Sequence, residues 1–209
     1  MAHHGTRVTV VIPTHNRRDL LARLLASLAA QSLPPSAYEV IIVHNHTEDG
    51  TEAMAREWCG RQAFAARYFR KDYKGPARSR DFGARTAQGR YVAFIDDDCV
   101  ASPHWLSAGL AAFEDPPAAP GAAPVGLVQG ATLPMPGQPR PFLSKTIEIP
   151  QATVFFETCN IFYLRSAFEQ VGGFSEDFID RFYGEDTDLG WKMMQAGFAS
   201  RFAAAALVH

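Results

Sequence analysis

The stretch Tyr91-Val92-Ala93-Phe94-Ile95-Asp96-Asp97-Asp98 decides how this chain is read. Its first five residues are apolar, aromatic or β-branched and follow the turn signal Gln88-Gly89-Arg90. They read as a buried strand. The carboxylates therefore stand where a strand ends and a loop begins. In an open α/β sheet, ligands bind just outside the carboxyl ends of the strands. Adjacent acids repel one another and raise one another's pKa. A hard cation such as Mg2+ or Mn2+ removes that repulsion through oxygen ligands, and a cation held there can hold a diphosphate. The plain alternative is an acidic surface turn, and the buried strand directly before it argues against that.

Toward the N-terminus, strands and helices alternate. Val8-Thr9-Val10-Val11-Ile12 is a continuous apolar strand stopped by Pro13. Leu20, Leu21, Leu24, Leu25 and Leu28 recur at helical spacing and predict one face of a helix over 17–31, ended by Leu33-Pro34-Pro35. Residues 38–43 read as the next strand and 44–50 as its exit loop. A helix over 51–60 turns Met54 and Trp58 inward, and 67–69 is a short strand. Pro76 suits the first turn of a helix running to about residue 87. This alternation implies an α/β fold with a mostly parallel central sheet, flanked by helices and joined by right-handed crossovers.

Toward the C-terminus the pattern changes. Residues 103–113 read as helix, and 114–124 and 134–141 as Pro- and Gly-bearing loops. Short strands are expected at 125–132, 152–156 and 161–163. A helix at 165–171 is broken by Gly172-Gly173-Phe174. The last helix spans 186–196, capped by Gly197. No internal repeat is visible. The reading is one domain over 1–209, with a nucleotide-binding-like half at about 7–100 and an acceptor-binding half at about 101–209.

Composition excludes several classes. At 209 residues the chain can bury a core as one domain. A formal charge of −2 gives no reason to expect nucleic acid as partner. No apolar run approaches the roughly 20 residues of a spanning helix, and the N-terminus lacks the apolar centre of a signal peptide. Cys59, Cys99 and Cys159 are far apart, with no CxxC pair, which fits a reducing compartment rather than a disulfide or zinc framework. The expected location is cytoplasmic, free or peripheral at the inner face of a membrane.

Four loops carry the candidate chemistry: Pro13-Thr14-His15-Asn16-Arg17, His44 to Gly50 with Asn45, the aspartates, and Gly184-Glu185-Asp186-Thr187-Asp188. The parallel sheet places the first three at one edge. Asp186 and Asp188 lie at the positive end of a helix. Helix capping is the simpler account of Asp188, while Asp186 stands beside another acid after a glycine turn. Arg78 and Arg80 follow Gly75-Pro76, where a guanidinium either reaches a diphosphate or lies on a solvated helix face. His209 ends the chain after apolar residues and is either a metal ligand or an ordinary surface or core histidine.

Taken in order, Val11-Ile12-Pro13-Thr14-His15-Asn16-Arg17, Asp49-Gly50-Thr51, Arg80-Asp81-Phe82-Gly83 and Phe94-Ile95-Asp96-Asp97-Asp98 resemble the family 2 inverting glycosyltransferases of GT-A fold. Gly172-Gly173-Phe174 resembles that family's GGF turn, Glu185-Asp186 its ED motif and Val208-His209 its closing histidine. The resemblance implies transfer of a sugar from a nucleotide diphosphate sugar to an acceptor hydroxyl, with Mn2+ or Mg2+ as cofactor. It implies that Asp98 and His209 hold the metal, that Asp186 is the base, and that Asp96 and Asp97 belong to the donor site. Pro13, Thr14, His15, Asn16 and Arg17 would wrap the nucleobase. The family usually has tyrosine at the position of His15, and often an acidic residue where this chain has His44-Asn45. An imidazole can stack as a phenol does, and an amide offers both donor and acceptor, so a UDP- or dTDP-linked sugar is expected. The acceptor is a glycan, a lipid-linked molecule or a small molecule, taken in the region 130–158. Two rival readings remain at this stage. Ile95-Asp96-Asp97-Asp98-Cys99-Val100 also matches the nucleophile motif of haloacid-dehalogenase-like phosphatases, with the first aspartate as nucleophile. A non-catalytic nucleotide-sugar-binding domain is the other.

Overall fold

A computed structural model describes residues 5–45, 47–115, 121–137, 147–179 and 183–209. The elements run β1 (Val8–Thr14), α1 (Arg18–Ala29), a 3-10 turn (Pro35–Ala37), β2 (Tyr38–Asn45), α2 (Thr51–Gly60), β3 (Ala65–Lys71), α3 (Gly75–Thr86) and β4 (Tyr91–Ile95). The second half adds α4 (Trp105–Glu114), β5 (Val125–Thr132), β6 (Asn160–Leu164), α5 (Arg165–Gln170), α6 (Glu185–Gln195) and β7 (Ala199–Val208).

All strands join one seven-stranded sheet in the order β3-β2-β1-β4-β6-β5-β7. The first four are parallel to one another. β6 runs antiparallel between β4 and β5, and β5 pairs with β7 in parallel. From β1 the chain moves outward to β2 and β3, then returns to place β4 on the other side of β1. The carboxyl ends of β1 and β4 therefore flank the point where strand order reverses, which is where an open α/β sheet leaves a crevice for a ligand.

The continuous apolar strands are explained by burial on both faces. Because side chains alternate along a strand, Val10, Ile12, Val40, Ile42, Ala93 and Ile95 face one core with Leu21, Leu24, Leu25 and Leu28 of α1 and Trp105, Leu106 and Leu110 of α4. Val11, Ile41, Val43, Val92 and Phe94 face the other, with Ala77 and Ala84 of α3 and Leu189 and Met193 of α6.

Several boundaries differ from the sequence reading. Pro13 continues β1 rather than ending it, and β2 runs on through His44 and Asn45. Its neighbour β3 is correspondingly longer, because each strand provides the ladder for the next. Residues 152–156 form no strand. The Thr153 backbone N–H donates to Gln129 Oε1 at 2.8 Å, and its hydroxyl donates to Glu157 Oε2 at 2.6 Å. Side chains thus take over the backbone bonding that a ladder would supply. His46, the middle of the 114–124 loop and the end of the 134–141 loop lie outside the described residues.

Candidate functional site

The first loop is tied to the aspartates by direct bonds. Asn16, at φ 54, turns the chain after β1, a conformation asparagine tolerates better than most residues. The Thr14 hydroxyl donates to Asp97 Oδ2 at 2.7 Å. Arg17 Nη1 donates to Asp97 Oδ1 at 3.1 Å and to Asp98 Oδ2 at 2.9 Å. Burial pushes the Asp97 carboxyl above the usual range, opposed by the bond from Thr14 and the charge of Arg17. Asp96 accepts from Arg80 Nη2 at 2.5 Å.

Of these, Thr14, Arg17, Arg80, Asp96 and Asp97 wall a cavity of about 610 Å³, together with Pro13, His15, Asn45 and the Tyr73–Pro76 turn, whereas Asn16 and Asp98 are not on its wall. That volume lies within the roughly 300–1,000 Å³ of small-molecule sites. His15 Nδ1 donates to the Asn45 backbone carbonyl at 3.3 Å, which holds the ring on the wall. His44 behaves differently from the exit-loop expectation. It is fully buried in β2, with one ring nitrogen 2.7 Å from Tyr68 Oη and the other 2.8 Å from Thr47 Oγ1. The Asn45 amide is also partly committed: its Oδ1 accepts from the Tyr73 N–H at 3.4 Å and the Ser79 hydroxyl at 3.2 Å. Its Nδ2 makes no bond among the described residues, so a base would meet a donor there rather than a donor and an acceptor. The two arginines of α3 separate cleanly. Arg78 lies 3.5 Å from Glu176 on the surface, while Arg80 is buried beside the cavity.

A second cavity of about 450 Å³ adjoins the first through Asp96 and has Asp98 and His209 on its walls. The chain end is brought there by backbone pairing of His209 with Val100, at 2.6 and 2.9 Å. His209 Nδ1 lies 3.2 Å from the Leu133 carbonyl and 3.3 Å from that of Pro134. It therefore carries the proton and leaves Nε2 as the ligating nitrogen. Among the described residues no three His, Cys, Asp or Glu side chains converge into a closed metal shell. One carboxylate and one imidazole on a shared wall still fit Mg2+ or Mn2+, which commonly takes one or two carboxylates and completes its shell with phosphate oxygens.

Asp186 is linked to Asp96 through Arg80, whose Nη1 lies 3.9 Å from Asp186 Oδ1. Gly184, at φ 91, turns the chain into α6, a geometry glycine adopts freely. Asp186 then lies in the first helical turn, where its carboxylate accepts the Thr158 N–H and the Thr158 hydroxyl, each at 2.9 Å. Burial raises its pKa, and Arg80 and the Thr158 bonds oppose that rise. Asp188 does not cap the helix. Gly184 occupies the cap position without a side-chain bond, and Asp188 Oδ2 is buried without a partner. Sequence reasoning missed Thr158, Tyr73 and Lys74. No motif marked Thr158, whereas the Gly75-Pro76 turn was a usable signal for the two residues before it.

The description "Glycosyl transferase family 2" matches residues 9–172 of the chain. Validoxylamine A glucosyltransferase of Streptomyces hygroscopicus subsp. limoneus is 29% identical over 230 residues, covering 93% of this chain and 49% of that protein. Pre-mycofactocin glycosyltransferase of Mycobacterium tuberculosis is 31% identical over 214 residues, covering 96% of this chain and 42% of that protein. This chain thus spans about half the length of the curated relatives it matches. Among solved structures, a mannosyltransferase of Pyrobaculum calidifontis in complex with GDP-Man and Mn2+ superposes with a TM-score of 0.76 at 21% identity, over 97% of this chain and 56% of that one. TarS of S. aureus in complex with UDP-GlcNAc superposes with a TM-score of 0.72 at 19% identity, over 94% and 55%. The sheet order, the acidic loop after β4 and the match over residues 9–172 agree: the chain has the GT-A fold and belongs to glycosyl transferase family 2.

Proposed function

We propose that this domain transfers a sugar, with inversion, from a pyrimidine nucleotide diphosphate sugar to an acceptor hydroxyl. The observation that carries the proposal is the placement of Asp186. A partly buried carboxylate, fixed by Thr158, lies 3.9 Å from the Arg80 guanidinium that also holds Asp96 on the wall of a cavity of nucleotide size. In a single in-line displacement the donor's anomeric carbon lies between leaving group and acceptor. Asp186 takes the proton from the acceptor hydroxyl as that oxygen attacks. Thr14, Arg17 and Asp97 form the donor wall, with His15 stacking on the base and Asn45 Nδ2 donating to a base carbonyl. Asp98 and His209 are the residues that would hold Mn2+ or Mg2+, and such an ion neutralises charge on the departing diphosphate. The mannosyltransferase structure is a complex with GDP-Man and the TarS structure one with UDP-GlcNAc, so this fold accommodates both bases, and the pyrimidine preference rests on His15 and Asn45.

The phosphatase reading is set aside by the family and by Asp96 itself, whose carboxylate is paired with Arg80 rather than free to attack phosphorus. The acceptor is a glycan, a lipid-linked molecule or a small molecule. No helix among the described residues is long and apolar enough to cross a membrane. The decisive test is Asp186→Asn. It should keep nucleotide affinity by calorimetry and lower the transfer rate by ~10²–10⁴-fold, the contribution typical of a general base. Retention of most activity on a working donor–acceptor pair would move the base elsewhere, with Glu185 first.

A further inference from the structure

From the sequence Arg80 is either a diphosphate ligand or part of a solvated helix face, yet its guanidinium is buried among carboxylates. Nη2 donates to Asp96 Oδ1 at 2.5 Å. Nη1 lies 3.7 Å from Glu185 Oε1 and 3.9 Å from Asp186 Oδ1. The side chain is only 6% exposed. Asp96 follows β4, whereas Glu185 and Asp186 open α6, which the proposed function makes the donor and acceptor sides. Among the described residues, no other cation forms an ion pair with Glu185 or Asp186.

We propose that Arg80 is a positioning residue that locks Asp186 to the donor-side loop through Asp96, and that it does not bind the donor diphosphate. The proposal rests on Asp186 being the base. A guanidinium is a planar fork that can serve two carboxylates at once; an ammonium is a point charge and cannot do so with the same geometry. The groups acting on Asp186 are Arg80, Glu185, Asp96, the Tyr163 hydroxyl and the Cys159 thiol, together with the Thr158 bonds. Only Arg80 among them is a cation. Glu185 Oε2, Tyr163 Oη and Arg80 Nε are buried without partners, so little else offsets the cost of charge here. Burial drives the Asp186 carboxyl toward its neutral form and Arg80 drives it toward the ionised one. Without Arg80, several acids would share a buried site with no counter-charge, and Asp186 would hold its proton to higher pH.

The test compares R80K and R80M with the wild type in metal-free protein carrying 13C-labelled aspartate. The Asp186 carboxyl signal is assigned by its loss in D186N. The Asp186 midpoint should rise by about one pH unit or more in R80M and by less in R80K. Affinity for UDP and for GDP with Mn2+ should stay within about threefold of wild type. The transfer rate at neutral pH should fall by about 100-fold, with the deficit narrowing as pH rises. Should R80M fail to fold, R80K alone decides. An unmoved midpoint in a folded variant overturns the proposal, and so does a tenfold loss of nucleotide affinity, which would make Arg80 a donor ligand. The titration and binding arms need no turnover. A wild-type protein that turns over no donor would therefore sink the transferase reading while the midpoint still judges Arg80.

Discussion

At the residue scale the site is a set of carboxylates distinguished by what touches each one. Asp97 is buried and bonded to Thr14 and Arg17, Asp96 is held by Arg80, and Asp98 is half exposed on the wall it shares with His209. Asp98, which Arg17 also reaches at 2.9 Å, is the carboxylate proposed above to take a metal. Asp98→Ala should abolish the extra thermal stabilisation that Mn2+ adds to UDP, and His209→Ala should reduce it less. A variant without Asp98 that still gained stability from Mn2+ plus UDP would count against the assignment. Much of this was legible from the chain. The acidic triplet, the Pro13–Arg17 loop and Asp186 are local strings that stand out as candidates without coordinates. The pairing of Arg80 was not, because its partners lie 16 and more than 100 positions away. Nor was the commitment of Asn45 Oδ1, which depends on where Tyr73 and Ser79 arrive.

At the element scale, the start of α2 shows how one side chain sets a boundary. Asp49 accepts the Thr51 N–H at 3.1 Å and the hydroxyls of Thr51 and Thr47, each at 2.8 Å. What burial it has works to raise its pKa, but these hydrogen bonds win and take it down to about 2. A depressed folded pKa gives stability that is present above the ordinary value of 3.8 and is lost as pH falls toward about 2. Asp49→Ala should cost ~1 kcal/mol near neutral pH, as loss of turn hydrogen bonds of this kind does. The difference in melting temperature from wild type should narrow as pH falls from about 4 to about 2. A difference independent of pH would mean that the carboxylate charge is not what holds the turn. The α3 helix gives a second case. A Cβ at Gly83 would lie 2.3 Å from Val11 Cγ1, so Gly83→Ala should destabilise by ~1–3 kcal/mol through overpacking. Because α3 also carries Arg80, the same substitution should slow transfer. An unchanged melting temperature would show that α3 can move off β1. Helical spacing identified α1 well, since four of its five leucines are fully buried. Strand propensity misled at 152–156, where Thr153 bonds to Gln129 and Glu157 instead of joining a ladder.

At the scale of the whole molecule, the order β3-β2-β1-β4 sets two loops that are about 80 residues apart side by side. Ligand that fills the crevice between them binds only the folded chain. At ~100 times its dissociation constant it should stabilise by ~2.7 kcal/mol, or roughly 5–10 °C for a chain of this size. With Mn2+ present, UDP and dTDP should give shifts at least as large as GDP and ADP. Because Asn45 presents a donor rather than a full amide edge, the differences among bases should be modest. GDP or ADP binding tenfold tighter than both pyrimidine nucleotides, ~1.4 kcal/mol, would refute the pyrimidine reading.

By itself the sequence determined the alternation of strands and helices, the two-faced burial of the central strands and the identity of the acidic loop. Each of these is set by neighbours in the chain, through period, turn residues and local charge. Tertiary structure alone decided which carboxylates are paired, which histidine is buried and which end of the Asn45 amide is already bonded. Those outcomes depend on contacts between residues tens to more than one hundred positions apart. In such contacts burial and hydrogen bonding compete at energies of about 1–3 kcal/mol per group, and no local pattern records which side wins.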